Sequence, residues 1–259
     1  MPKFSANLTM LFQEVDFLER FAKAASNGFS AVEFMFPYAW PAAELADRLQ
    51  GHGLQQVLHN LPAGDWAAGE RGIACLPGRE GEFQDGVGWA IEYAKALRCP
   101  QLNCLAGLKP EGVADEKVFE TLTANLRFAA EALAREKIGL LVEPLNTKDI
   151  PGFLVTTSAE GCRVLEAVGH ANLKLQYDIY HMQRMEGDLV NTITALIGQI
   201  GHIQLADNPG RHEPGSGEIN FTNLFKAIDS LGYQGWIGCE YIPAAGTEAG
   251  LSWLDPYRS

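Results

Sequence analysis

Four stretches of this 259-residue chain end an apolar run on an oxygen-bearing side chain. LLVEPLN supplies Glu143, LQYDIYH supplies Asp178, HIQLAD supplies Gln204 and WIGCEY supplies Glu240. One such group alone reads as a carboxylate that is solvated or salt-bridged. Four of them in consecutive runs, at matching positions, read as a set. Glu143 and Glu240 follow apolar residues, which puts them in a low-dielectric space. Carboxylates that converge there cannot all ionise unless a cation lies between them. Three carboxylates and one amide oxygen make an all-oxygen ligand set, which suits Mg²⁺ or Mn²⁺ better than zinc. Gln204→Leu is then expected to weaken metal or substrate binding more than it weakens the fold.

The basic residues complete the chemistry. Arg211 in DNPGRHE and Arg71 in AAGERGI are candidates for holding a substrate carboxylate, which guanidinium binds bidentately. Each also reads as an ordinary surface charge. The chain has six histidines and no HExxH or HxH pair. His181, three residues after Asp178, is the best placed for a substrate. His59 ends a strand beside a long loop, which suggests a pocket role. His202 is in phase with Gln204 but two residues deeper, so it reads as a hydrogen-bonded core residue or as one that orients a ligand. Asn7, Glu33, Asn60 and Asn103 lie in or near the early strands and are candidates for lining the pocket or filling a barrel mouth.

Strand-like and helix-like segments alternate from end to end. The strand candidates are 4–8, 31–36, 55–60, 101–107, 138–144, 173–179, 202–207 and 236–241. Between them run helical periods. From Asp115 to Lys137, Phe119, Leu122, Leu126, Ala130 and Leu133 form one apolar stripe. Phe17, Phe21 and Ala24 form another, with Gly28 where a C-terminal glycine cap belongs. Asp188 and Ser158 stand as N-caps before the next helical periods. Eight strands alternating with helices predict parallel βαβ units, and about 250 residues fit a single (β/α)₈ TIM barrel over residues 1–259. An open doubly wound sheet would show a glycine-rich turn after the first strand, and ANLTMLFQE contains no glycine. In a barrel the four oxygen-bearing groups lie at the C-terminal ends of their strands, where catalytic groups gather.

One connection breaks the alternation. Residues 61–79, LPAGDWAAGERGIACLPGR, carry Gly64, Gly69, Gly72 and Gly78 and have no strand or helix period. Connections of that length are usually functional. Trp66 and Arg71 are placed either to close over an anionic substrate or to pack the loop on itself.

Composition narrows the partners. A net charge of −12 opposes nucleic-acid binding. Five cysteines with no CxxC pair suggest a reducing compartment. MPKFSANLTMLF does not read as a signal peptide, and no run approaches the ~18 apolar residues of a membrane span. The expectation is a cytoplasmic protein acting on a small anionic substrate. The outer helices of a barrel leave room for association with a second copy, but no seam is legible.

The order EPLN, YDIYHM, HIQLADNPGRHEPGSGEINF, GWIGCEY resembles the xylose-isomerase-like TIM-barrel superfamily. FSANLTMLF, AVEFMFPY, LHNLPAGDWAAGERGIACLPGRE, YDIYHMQRMEGDL and TEAGLSWLDPY are similar to the hydroxypyruvate isomerase family along the full length. The resemblance implies interconversion of hydroxypyruvate and tartronate semialdehyde, a task of glyoxylate metabolism, with a four-carbon 2-oxo-tetronate or a related ketose as the rival substrate. It implies that Glu143 and Glu240 transfer the proton. It also implies that Glu143, Asp178, Gln204 and Glu240 surround a divalent metal, and that His181 and Arg211 stand near the substrate. Many superfamily members carry histidine where this chain has Gln204.

Overall fold

A computed structural model describes residues 1–257. Eight strands close in sequence order into one barrel, each parallel to its neighbours. They are β1 Lys3–Asn7, β2 Ala31–Glu33, β3 Gln55–Asn60, β4 Gln101–Cys104, β5 Gly139–Val142, β6 Leu173–Asp178, β7 Ile200–Leu205 and β8 Trp236–Cys239. The helices are α1 Arg20–Ser26, α2 Ala42–Gly51, α3 Glu80–Leu97, α4 Asp115–Arg135, α5 Ser158–Val168, α6 Ile179–Met185, α7 Leu189–Leu196 and α8 Phe221–Ser230. Short 3₁₀ segments occupy Phe17–Glu19 and Glu248–Tyr257. Trp253 and Tyr257 of the last segment pack on Phe4 and Phe225.

Periodicity explains the helices. The α4 stripe buries Leu122, Leu126, Ala130 and Leu133, and Phe119 lies partly buried under the Arg163 guanidinium. Gly28 takes φ +85° just beyond α1, the left-handed geometry that a glycine cap supplies. The α5 N-cap is Thr157 rather than Ser158. Thr157 and Glu160 form a reciprocal capping box, which fixes the start of the helix one residue earlier. Asp188 stands at the N-cap of α7, but its carboxylate accepts from the Asn191 side chain instead of a backbone N–H.

Register sets the level of the polar residues. Asn7 pairs with Glu33, Asp178 with Gln204, and Gln204 with Gly238. Gln176 and His202 pair one layer below. The interior therefore carries a polar stack from Ser5, Glu33 and His202 upward, while apolar residues such as Val32, Ile203 and Cys239 face the helices. All of these are buried.

The 61–79 connection divides in two. Its second half is packed: Ile73, Ala74 and Cys75 are buried, and Asn125 of α4 donates to the Ala74 carbonyl at 2.9 Å. Gly72, at φ +112°, lets this backbone lie directly against that of Leu105 and Gly107, where a Cβ would collide. Arg79 closes the base by pairing with Glu70 and Glu82. In the first half Leu61 and Ala63 are buried and residues 65–69 are exposed, with Trp66 resting on Phe36 at a centroid distance of 5.1 Å.

Candidate active site

Glu143 follows β5 and is buried. Its Oε2 accepts from Asn103 Nδ2 at 2.8 Å. Burial and the neighbouring charges of Glu240 and Asp178 raise its carboxyl well above the usual range. Glu240 follows β8 and is also buried. Its Oε1 accepts from Arg211 Nη2 at 2.7 Å, and its Oε2 from Asn7 Nδ2 at 3.0 Å and Gln204 Nε2 at 2.6 Å. Burial, opposed by Arg211 and reinforced by the charges of Asp178 and Glu33, raises it to about 8. Two buried glutamates from opposite parts of the barrel thus feel one another's charge.

Asp178 ends β6 and starts α6, a single residue serving both elements. Its Oδ1 accepts the N–H groups of Tyr180 at 2.7 Å and His181 at 3.4 Å as the N-cap of the helix. Its Oδ2 is buried with no hydrogen-bond partner and lies 3.6 Å from His181 Nε2. Burial raises this carboxyl too, against the opposing charge of Arg211.

The tautomer of His181 is fixed by its other nitrogen. The Asn146 backbone N–H donates to Nδ1 at 3.1 Å, and Asn146 Nδ2 lies 2.7 Å from the same atom. Nδ1 is therefore an acceptor. Burial, with the charges of Arg211 and Arg184, holds the imidazole well below its usual value, so it is neutral. Its proton then belongs on Nε2, facing Asp178.

These positions bear on a metal. Among the described residues, Glu143, Asp178 and His181 bring ligand-type atoms within 4.8 Å of one another; Glu240 is not in that group. The unpartnered Oδ2 of Asp178 and the close Glu143 carboxyl fit a hard cation, which takes one or two carboxylates and fills its shell with substrate and water. His181 fits less well, because a ligating histidine normally donates its second N–H, whereas here that nitrogen accepts. Gln204, expected in the ligand set, is hydrogen-bonded at both ends of its amide. Its Oε1 accepts from Gln176 at 2.6 Å, and its Nε2 donates to Glu33 at 2.7 Å as well as to Glu240. With carboxylates on two sides, the amide must present nitrogen there, not oxygen.

A sequence profile of the xylose isomerase-like TIM barrel family matches residues 21–257. The chain belongs to that family. It is 58% identical to hydroxypyruvate isomerase of Escherichia coli strain K12, over 100% of both chains. It is 51% identical to 2-oxo-tetronate isomerase of Cupriavidus necator, covering 99% of each. The crystal structure of a Brucella melitensis protein named AP endonuclease, family 2, superposes with a TM-score of 0.98 at 48% identity, covering 100% of both chains. The superfamily expected from EPLN, YDIYHM and GWIGCEY is the one found.

In this xylose isomerase-like barrel, Glu143, Asp178, His181, Gln204, Arg211 and Glu240 are joined through contacts and charges in one buried network. Arg211 lies in the loop after β7 at φ +56°, with its guanidinium 5.1 Å from the Tyr180 ring centroid and its buried Nε unpartnered. Its charge is reinforced by Glu240 and Asp178 against the opposing effect of burial. His59 is not brought to this network. Its position on β3 alternates with the inward Asn60, so it points to the helical layer. There its ring lies 6.2 Å from that of Tyr38, which packs on Trp89 and Tyr93 of α3. Burial pushes His59 down to about 3, so it is a neutral packing residue. Arg71 folds back on its own loop, 4.0 Å over the Trp66 ring, and donates to the carbonyls of Trp66 and Glu70.

Sequence reasoning passed over Asn146 and Gln176. Gln176 had a legible signal, since it is in phase with Asp178 as His202 is with Gln204. Asn146 had none: it lies in a loop, and only the fold carries His181 back onto its N–H.

Proposed function

We propose that this protein is an isomerase that interconverts hydroxypyruvate and tartronate semialdehyde through an enediolate. The observation that carries the reading is the pair of buried glutamates, Glu143 and Glu240, both held toward the protonated form, with one of them bound to an arginine. A 1,2 carbonyl shift needs carboxyls that can take a proton from one carbon and return it to the next, and carboxyls tuned upward do this near neutral pH.

The roles follow from the geometry. Arg211 spends Nη2 on Glu240, which leaves its other donors to clamp the substrate carboxylate. One glutamate takes the C3 proton of hydroxypyruvate; a proton is returned at C2, and the hydroxyl proton passes from O3 to O2. His181, neutral and with its proton on Nε2, donates to the oxygen on which charge develops. A divalent cation, Mg²⁺ or Mn²⁺, held by Glu143 and Asp178 would supply Lewis-acid stabilisation of the enediolate oxygens. The exposed tip of residues 61–79, with Trp66 and Arg71, is the segment suited to covering a bound ketoacid.

The E. coli relative's name and its higher identity favour the three-carbon substrate over the four-carbon one. An endonuclease reading, suggested by the name of the Brucella protein, fits less well with a net charge of −12 and a site carrying one histidine. The test is turnover of both acids by purified protein, with and without Mg²⁺ or Mn²⁺, followed in D₂O. Hydroxypyruvate is expected to give the higher kcat/KM and to take deuterium onto carbon. Equal or faster turnover of 2-oxo-tetronate would overturn the substrate choice, and isomerisation without solvent exchange in either direction would overturn the shared enediolate.

A further inference from the structure

Glu33 is fully buried inside the barrel, beside the site but outside the chemistry described above. Its carboxylate accepts four hydrogen bonds. Ser5 Oγ and His202 Nε2 reach Oε2 at 2.9 Å each, while Asn7 Nδ2 and Gln204 Nε2 reach Oε1 at 3.2 and 2.7 Å. Space for it exists because residue 238 is glycine; a Cβ there would run into the carboxylate. Burial works against its charge, but His202 and the hydrogen bonds outweigh that and hold Glu33 below the usual carboxylate value.

Two of the four donors are shared. The same Asn7 and Gln204 nitrogens also donate to Oε2 of Glu240, at 3.0 and 2.6 Å. Each NH₂ has two hydrogens, and each sends one to Glu33 and one to Glu240. An acceptor-only carboxylate beneath them forbids the flipped amides, whose oxygens would face it. Thr9 N–H and Gln176 Nε2 hold the oxygen ends of the two amides at 3.0 and 2.6 Å, and Glu33 holds their nitrogen ends, on which the seat of Glu240 Oε2 depends.

We infer that Glu33 is a positioning residue for Glu240, acting through the Asn7 and Gln204 amides to hold the carboxyl at its working angle. This rests on Glu240 being a proton-transfer residue. A merely structural Glu33 would tie β2 to β1 and β7 and leave turnover per folded molecule unchanged.

The experiment compares Glu33→Leu, Glu240→Asp, their double variant and Glu240→Gln. Glu33→Leu removes the acceptor beneath the two shared amides, so their nitrogens lose the contact that aims them at Glu240. Its kcat is expected to fall about 10–100-fold with KM within about threefold, the scale of a displaced proton-transfer group. The double variant is expected to lose no more than about threefold beyond Glu240→Asp, because both changes act on one group. Wild-type kcat in folded Glu33→Leu, or losses that multiply in the double variant, would overturn the inference. If Glu33→Leu does not fold, Glu33→Asp, which keeps the charge but draws the carboxylate back from both amides, carries the test. It is expected to lower kcat at least about fivefold, and an unchanged kcat overturns the inference. Wild-type turnover in Glu240→Gln would sink the functional reading itself. An inactive Glu240→Gln beside a fully active Glu33→Leu sinks only the role of Glu33.

Discussion

Glu240→Gln exchanges a titrating carboxyl for a neutral group of the same shape, and its effect on stability should depend strongly on pH. Burial lifts the Glu240 carboxyl from 4.5 to about 8 in the folded protein. Between those values the folded chain holds a proton that the unfolded chain has released. The stability this contributes is present at low pH and is lost as pH climbs toward 8. At about 1.4 kcal/mol for each pH unit of that span, the loss amounts to about 4–5 kcal/mol by pH 9. That is a large part of the 5–15 kcal/mol that holds a typical domain together. The glutamine variant cannot titrate and escapes the loss. In EDTA-treated protein, urea unfolding is expected to give the two proteins similar stability near pH 5, with the wild type falling behind by several kcal/mol at pH 9. Saturating Mn²⁺ should stabilise both proteins increasingly as pH rises, since Glu143 and Asp178, present in each, bind metal in their deprotonated forms. Parallel stability curves from pH 5 to 9 without metal would refute the reasoning.

Two further outcomes follow from the geometry. Gln204→Leu strands Gln176, Glu33 and Glu240, each of which loses a buried partner; at about 1–3 kcal/mol per group the expected cost is about 3–9 kcal/mol in equilibrium unfolding, and a loss under about 1 kcal/mol would show that the network does not depend on it. Gly72→Ala places a Cβ at φ +112° against the Leu105 backbone, so it should cost at least about 2 kcal/mol in thermal or urea unfolding and raise KM if the 61–79 segment covers substrate; an unchanged midpoint contradicts the close approach.

Much of the barrel is written in local pattern. The α4 stripe and the strand at 55–60 reappear as expected because one-face burial imposes its period on any sequence that must pack. Strand ends were less legible: 31–36 shortens to Ala31–Glu33, since a parallel strand ends where its neighbours stop pairing, and that depends on other segments. The α5 start moved by one residue because Thr157 and Glu160 form a reciprocal box that outcompetes Ser158.

At the site, the sequence alone determined which groups stand at the strand ends. Side chains there alternate with period 2, and oxygen-bearing residues interrupt apolar runs, so Glu143, Asp178, Gln204 and Glu240 could be named one by one. What each does was decided by tertiary structure. His59 looked like a pocket residue until the barrel's alternation turned it toward α3. Gln204, named as a ligand, has its nitrogen on Glu33, 171 residues earlier in the chain, a partner no local pattern announces. The orientation of an amide, the tautomer of a histidine and the protonation of a carboxyl are set by partners brought together only when the barrel closes, and spacing along one strand carries no record of them.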